Sequence, residues 1–104
     1  MISQQLRSGE NVRREKLNEG EVKELIADLN GWQFENDQIK TNRKFPNFAA
    51  ALTFVNEVGT LAEDADHHPD ITFGWGYADI ALTTHDRGGV TDVDIALAEK
   101  IDRI

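Results

Sequence analysis

The sequence predicts an α+β fold: a four-stranded antiparallel sheet with three helices on one face, in the order α-β-β-α-β-β-α. Three observations lead there. Apolar residues recur at helical spacing in three separate stretches. Four short runs between them alternate with period two. Tight turn signals join those runs in pairs, so the strands return as hairpins rather than crossovers. A length of 104 residues suits one domain, and 39% hydrophobic with 29% charged residues is an ordinary globular balance.

Residues 1–17 show no apolar periodicity and are expected to form a flexible N-terminal arm, with residues 18–104 as the single folded domain. In the first helix Val22, Leu25, Ile26 and Leu29 share one stripe. Asn18 and Glu21 have the spacing of a capping pair, and Asn30 and Gly31 supply a stop. Trp32 and Phe34 then alternate with polar neighbours. Asn36 and Asp37 suit a tight turn, and residues 38–45 read as the returning strand.

Asn47, after Pro46, is a candidate N-cap for the second helix. Phe48, Leu52 and Val55 lie on one stripe, which Ala51, Phe54, Val58, Leu61, Ala62 and Ala65 widen, so this helix is expected to be largely buried. Pro69 disfavours helical geometry at His68, which places the helix end near Asp66. Ile71, Phe73 and Trp75 alternate as one face of a third strand. Residues 77–85 form a fourth, with Ala78, Ile80, Leu82 and Thr84 on one side. After the loop at Arg87, Gly88 and Gly89, Thr91 and Asp94 make a capping pair for a last helix, whose apolar side is Ile95, Ala98 and Ile101.

Composition narrows the function classes. The net charge is −8, and residues 60–104 hold ten acidic against three basic side chains. Such a surface repels phosphate backbones, so no direct nucleic-acid partner is expected. The N-terminus has no apolar core of a secretory signal, and the longest mostly apolar stretch, 48–55, is too short to cross a bilayer, so no membrane partner is expected either. There is no cysteine, which excludes disulfides and thiolate metal sites and fits a cytoplasmic protein.

The chemistry-bearing residues are the three histidines. His67 and His68 lie at a helix-to-strand junction and His85 at a strand end, and such junctions are where sites are commonly built. Spacing alone leaves three readings open: histidines with only hydrogen-bonding roles, a facial metal triad without the i, i+4 pairing of helical zinc sites, or an acid–base site.

The wider pattern resembles the pterin-4a-carbinolamine dehydratase family. Glu63 is followed after three residues by His67, His68 and Pro69, then by Trp75 after five, His85 after nine and Asp94 after eight. The similarity extends over roughly residues 20–102, through Gly31 and Trp32, Phe45, Phe48, Thr83 to His85, and residues 89–98. The resemblance implies a four-stranded antiparallel sheet with helices on one face, a homodimer or homotetramer, no metal and no cofactor. It implies removal of water from a 4a-hydroxytetrahydropterin, giving a quinonoid dihydropterin, with His67, His68 and His85 as the catalytic trio. Asp66, His67, His68, Thr83, Thr84 and His85 would line the pterin pocket, with backbone and hydroxyl groups meeting the pterin edge. Glu63, Trp75 and Asp94 would support them. Asp94 has a competing role as a helix cap, Glu63 as a solvated residue, and Trp75 as a core or pocket wall. The same fold also serves as a protein-interaction or assembly module, which leaves an unidentified protein partner as the alternative.

Overall fold

The computed structural model describes residues 15–104. The elements run α1 (Glu19–Ile26), β1 (Trp32–Glu35), β2 (Gln38–Lys44), α2 (Phe48–Ala65), β3 (Asp70–Gly74), β4 (Tyr77–Leu82) and α3 (Asp92–Ile101), with a 3-10 turn at His85–Arg87. All strand pairs are antiparallel, and the spatial order is β1-β2-β4-β3. The two hairpins therefore meet along β2 and β4, and β1 and β3 are the edges.

Register sorts the sheet into a buried and a wet face. Trp32 lies opposite Thr41, Ile39 opposite Leu82, Thr41 opposite Ile80, and Ile80 opposite Ile71. That face packs against Val22 and Ile26 of α1, Phe54, Val58 and Ala62 of α2, and Ile95, Ala98 and Ile101 of α3 in one core. Each large side chain so buried stabilises the fold by about 1.5–3 kcal/mol before entropy is counted. The opposite face carries Gln33, Glu35, Asn42, Thr72 and Asp79, all exposed.

Local chemistry explains most boundaries. Asn18 and Glu21 close a full capping box at α1, Asn47 caps α2 through Ala50 N, and Thr91 and Asp94 close a second box at α3. Asn36 and Asp37 both adopt positive φ, the geometry of the tight hairpin turn that matches strand twist.

Several expectations are corrected. α1 stops at Ile26 rather than running to Leu29. Leu29 N–H closes a turn on Ile26 O, and Gly31, at φ 76°, reverses the chain. The strand face expected to include Trp75 ends at Gly74. Trp75 and Gly76 form a two-residue turn, with Gly76 at φ 85° and its carbonyl accepting from Phe45 N, so Trp75 projects outward and is 72% exposed. β4 ends at Leu82, because Thr84 pairs with Gly89 and His85 opens the 3-10 turn. The second helix is not buried across its whole apolar stripe. Ala51, Phe54, Val58 and Ala62 face the sheet, whereas Phe48 and Leu52 are exposed on its flank. A single helix lays only one stripe on a sheet, and Phe48 reaches no further than a stacked contact with Phe73 on the edge strand.

Of the expected N-terminal arm, residues 1–14 lie outside the described residues. Its last part is held: Leu17 N–H donates to Val90 O at 2.8 Å, and Lys16 lies over Gly89.

Candidate active site

The end of α2 sets two adjacent histidines in opposite directions. Asp66 takes a left-handed conformation (φ 52°), with its N–H on Glu63 O, while His67 N–H returns to Ala62 O at 3.1 Å. These two bonds form a Schellman end, which satisfies the last carbonyls and turns the chain sharply. Beyond it His67 points inward and is 8% exposed, whereas His68 is exposed.

The two rings have different partners. His67 Nε2 lies 2.5 Å from Asp94 Oδ1, and the carboxylate is fully buried. His68 Nε2 lies 2.6 Å from Glu63 Oε2, one turn back on α2, and both side chains are largely exposed. The first contact is fixed by the fold; the second is open to water, where an ion pair adds little stability.

Asp94 occupies the third position of α3 and does two jobs at once. Its Oδ2 accepts from Thr91 N at 2.9 Å, the capping interaction, and from Thr84 Oγ1 at 2.8 Å, while Oδ1 faces His67. The helix N-terminus favours negative charge at this place. Helix capping and contact with a histidine, competing readings of Asp94 in the sequence, coexist because a carboxylate has two oxygens.

The third histidine comes from the segment after β4. Thr84 N–H donates to Gly89 O at 2.9 Å, Arg87 N–H to Thr84 O, and Gly88 N–H to His85 O, with Gly88 at φ 77°. This tight loop holds His85 exposed, and nothing among the described residues hydrogen-bonds its ring. Thr83 Oγ1 donates to Asp37 O at 2.7 Å and ties the loop to the first hairpin.

Asp66, His67, His68, Thr83, Thr84, His85 and Asp86 line one cleft of about 320 Å³. That is the lower end of the range for small-molecule sites. A larger concavity of about 590 Å³ lies on the wet face of the sheet, and no histidine lines it. Among the described residues no cluster of His, Asp or Glu could hold a metal ion, and no helix is long and apolar enough to cross a membrane.

The cleft thus gathers His67, His68, His85, Asp66, Thr83 and Thr84, with Glu63 and Asp94 behind two of the rings. Trp75 stands apart. Asp70 pairs with Ala81 at the site end of the β3–β4 hairpin and Gly74 with Tyr77 at the other, so the turn carrying Trp75 lies about 13 Å further along. Thr84 is inside the constellation but not open to a ligand. Its side chain is 1% exposed and its hydroxyl and main-chain groups already have protein partners, so the expected hydroxyl contact with a substrate edge is not available from it. Sequence reasoning missed Asp86 on the cleft wall and Thr91 as a partner of Thr84. The capping spacing of Thr91 and Asp94 was the signal for the latter.

Known proteins resemble this chain over most of its length. The family model described as pterin 4 alpha carbinolamine dehydratase matches residues 15–104. A protein of Chloroflexus aurantiacus, provisionally named pterin-4-alpha-carbinolamine dehydratase, is 46% identical over 89 residues, covering 86% of this chain and 96% of its own. One of Sulfolobus acidocaldarius with the same provisional name is 39% identical over 89 residues, covering 86% and 98%. Among solved structures, a transcriptional coactivator/pterin dehydratase from Brucella melitensis superposes with a TM-score of 0.81 at 34% identity, over 86% of this chain and 97% of that one. A pterin dehydratase-like protein identified as a RuBisCO assembly factor in the alpha-carboxysome gives 0.59 at 25% identity, over 71% and 88%.

Proposed function

Because the chain belongs to the pterin-4-alpha-carbinolamine dehydratase family, we propose that it dehydrates a 4a-hydroxytetrahydropterin to the quinonoid dihydropterin and water, in the cytoplasm and in support of tetrahydropterin recycling. The observation that carries this reading is the convergence of His67, His68 and His85 on one small cleft. The reaction needs one proton delivered to the leaving 4a-hydroxyl and one taken from the adjacent ring nitrogen. Imidazole does both near neutrality, and positioned acid–base groups contribute on the order of 10² to 10⁴ in rate. The three rings are held differently, one by a buried carboxylate, one by an exposed carboxylate and one by no described partner, which suits them to different proton-transfer steps. Asp66 and Thr83, also on the cleft wall, are placed to meet the donor and acceptor edge of the pterin.

Stopped-flow absorbance of 4a-hydroxytetrahydropterin decay, with and without the purified protein, tests this directly. Acceleration that disappears in folded His67→Ala and His85→Ala variants supports the dehydratase. Wild-type turnover in both variants would defeat the histidine assignment.

A second reading, an interaction or assembly module, is favoured by a separate observation: Phe48, Leu52 and Trp75 are exposed beside the unpaired edge strand β3. An open edge and an apolar flank suit pairing with a second copy of the chain, giving the homodimer or homotetramer. Absence of acceleration by a folded protein moves the conclusion to that reading.

A further inference from the structure

Two buried threonines reach the cleft chemistry only through Asp94. Thr84 is 1% exposed and Thr91 is fully buried. The Thr84 hydroxyl has one proton, which points to Asp94 Oδ2 at 2.8 Å. The Thr91 hydroxyl, 2.8 Å from Thr84 Oγ1, must therefore be the donor in that contact. Thr91 also sends its main-chain N–H to the same carboxylate oxygen. Oδ2 thus receives two donors at a helix N-terminus, an arrangement that holds the carboxylate as an acceptor. Its other oxygen, 2.5 Å from His67 Nε2, then requires the proton of that contact to reside on the ring. A neutral imidazole carries a single N–H, so Nδ1 keeps its lone pair, and no described residue bonds it.

We infer that Thr84 and Thr91 are positioning residues that fix the tautomer of His67, making Nδ1 its proton-accepting atom. The hydroxyls touch no reacting atom. The Thr84 hydroxyl and the Thr91 main-chain N–H fill Oδ2, and the Thr91 hydroxyl, by donating to Thr84 Oγ1, directs the Thr84 proton there, so that Oδ1 alone faces the ring and its orientation is single-valued. Removing the Thr84 hydroxyl leaves Oδ2 with one donor and frees the carboxylate to rotate. The inference rests on the acid–base reading of the site for its consequence in turnover, but its geometric content stands in the resting protein.

The test joins a spectrum with a rate. Long-range ¹H–¹⁵N spectra of the labelled full chain, followed as the pH is raised until the ring is neutral, should show His67 as a single Nε2–H tautomer. Thr84→Val, which keeps the shape and removes the hydroxyl, should give a mixed tautomer pattern. It should lower kcat by about ten- to a hundredfold with KM within about twofold. Thr84→Ser should restore both. A wild-type His67 found as Nδ1–H overturns the inference, as does a folded Thr84→Val variant with unchanged spectrum and kcat. If Thr84→Val does not fold, Thr84→Ala, which also removes the hydroxyl, is read in its place by the same spectrum and rate. An Nε2–H pattern in a protein that accelerates no dehydration sinks the dehydratase reading alone and leaves the tautomer assignment in place.

Discussion

The two ends of α3 each hold a carboxylate that gathers several donors, and the two sets of donors differ in kind. At the N-terminal end, Asp94 receives Thr91 N, Thr84 Oγ1 and His67 Nε2. At the C-terminal end, Asp102 receives Asn30 N at 2.8 Å, Trp32 Nε1 at 2.9 Å and Arg43 Nη2 at 2.6 Å. The helix dipole favours the first carboxylate and opposes the second. Asp102 is therefore held by its partners: burial pushes its carboxyl upward, but the bonds from Asn30, Trp32 and Arg43, with the Arg43 charge, outweigh that and leave it below its ordinary value. Arg43 is a permanent cation that also lies 5.8 Å from the Trp32 ring centre, so this end is a lock between the first hairpin and the last helix. The partner of Asp94 is an imidazole whose other nitrogen is uncommitted. Similar wiring thus ends in a fixed charge at one end and in a group able to move a proton at the other.

The largest effect expected from breaking this contrast is on turnover at the N-terminal end. Asp94→Asn keeps the volume and can still accept from Thr91 N and Thr84, but then turns its amide N–H toward His67. The ring must answer with a lone pair on Nε2 and a proton on Nδ1, the opposite tautomer. Turnover in the stopped-flow assay should fall by on the order of 10² or more, with little change in Tm because the cap survives. A variant that loses stability but keeps its rate would reduce Asp94 to a cap.

At the other end the effects should reverse. Asp102→Ala strands the Arg43 guanidinium and the Trp32 indole in a half-buried setting, at a cost of about 2 kcal/mol. In a domain of this size that lowers Tm by roughly 10 °C. Dehydration per folded molecule should be unchanged, because the lock touches none of the cleft residues. A loss of rate in the folded variant would show that the two ends are coupled through α3.

The contrast was only half visible in the sequence. Local chemistry was legible: the capping pairs at Asn18 and Thr91, the turn at Asn36 and Asp37, and the alternation of Ala78, Ile80 and Leu82 each depend on neighbours a few residues away. Properties set by the edge of the sheet were not. Phe48 and Leu52 fit the helical stripe as well as Phe54 and Val58 do, and only the position of β3 decides which pair is covered. Trp75 continued the alternation of Ile71 and Phe73, but a turn centred on Gly76 takes it out of the strand. Within the site, the three histidines emerged from the family pattern rather than from their spacing. Their partners come from 27 residues away for His67 and five for His68, and the direction each ring takes depends on the left-handed Asp66 that separates them from α2. Arg43 and Asp102, 59 residues apart, gave no local signal at all.

The smallest expected effect is the one that isolates the lock from every other carboxylate. A group whose folded pKa is depressed stabilises the fold above its unfolded value, near 3.9 for aspartate, and loses that contribution as the pH falls through the folded value. Asp102 is such a group. The difference in urea midpoint between the wild type and Asp102→Asn should therefore be constant from pH 7 to about pH 5 and shrink below about pH 4. Acid unfolding driven by the other carboxylates affects both proteins alike and cancels in the difference. A gap that stays constant down to pH 3 would mean that Asp102 holds the hairpin by shape and neutral hydrogen bonds. The charge of Arg43 would then not be what distinguishes this end of α3 from the end that meets His67.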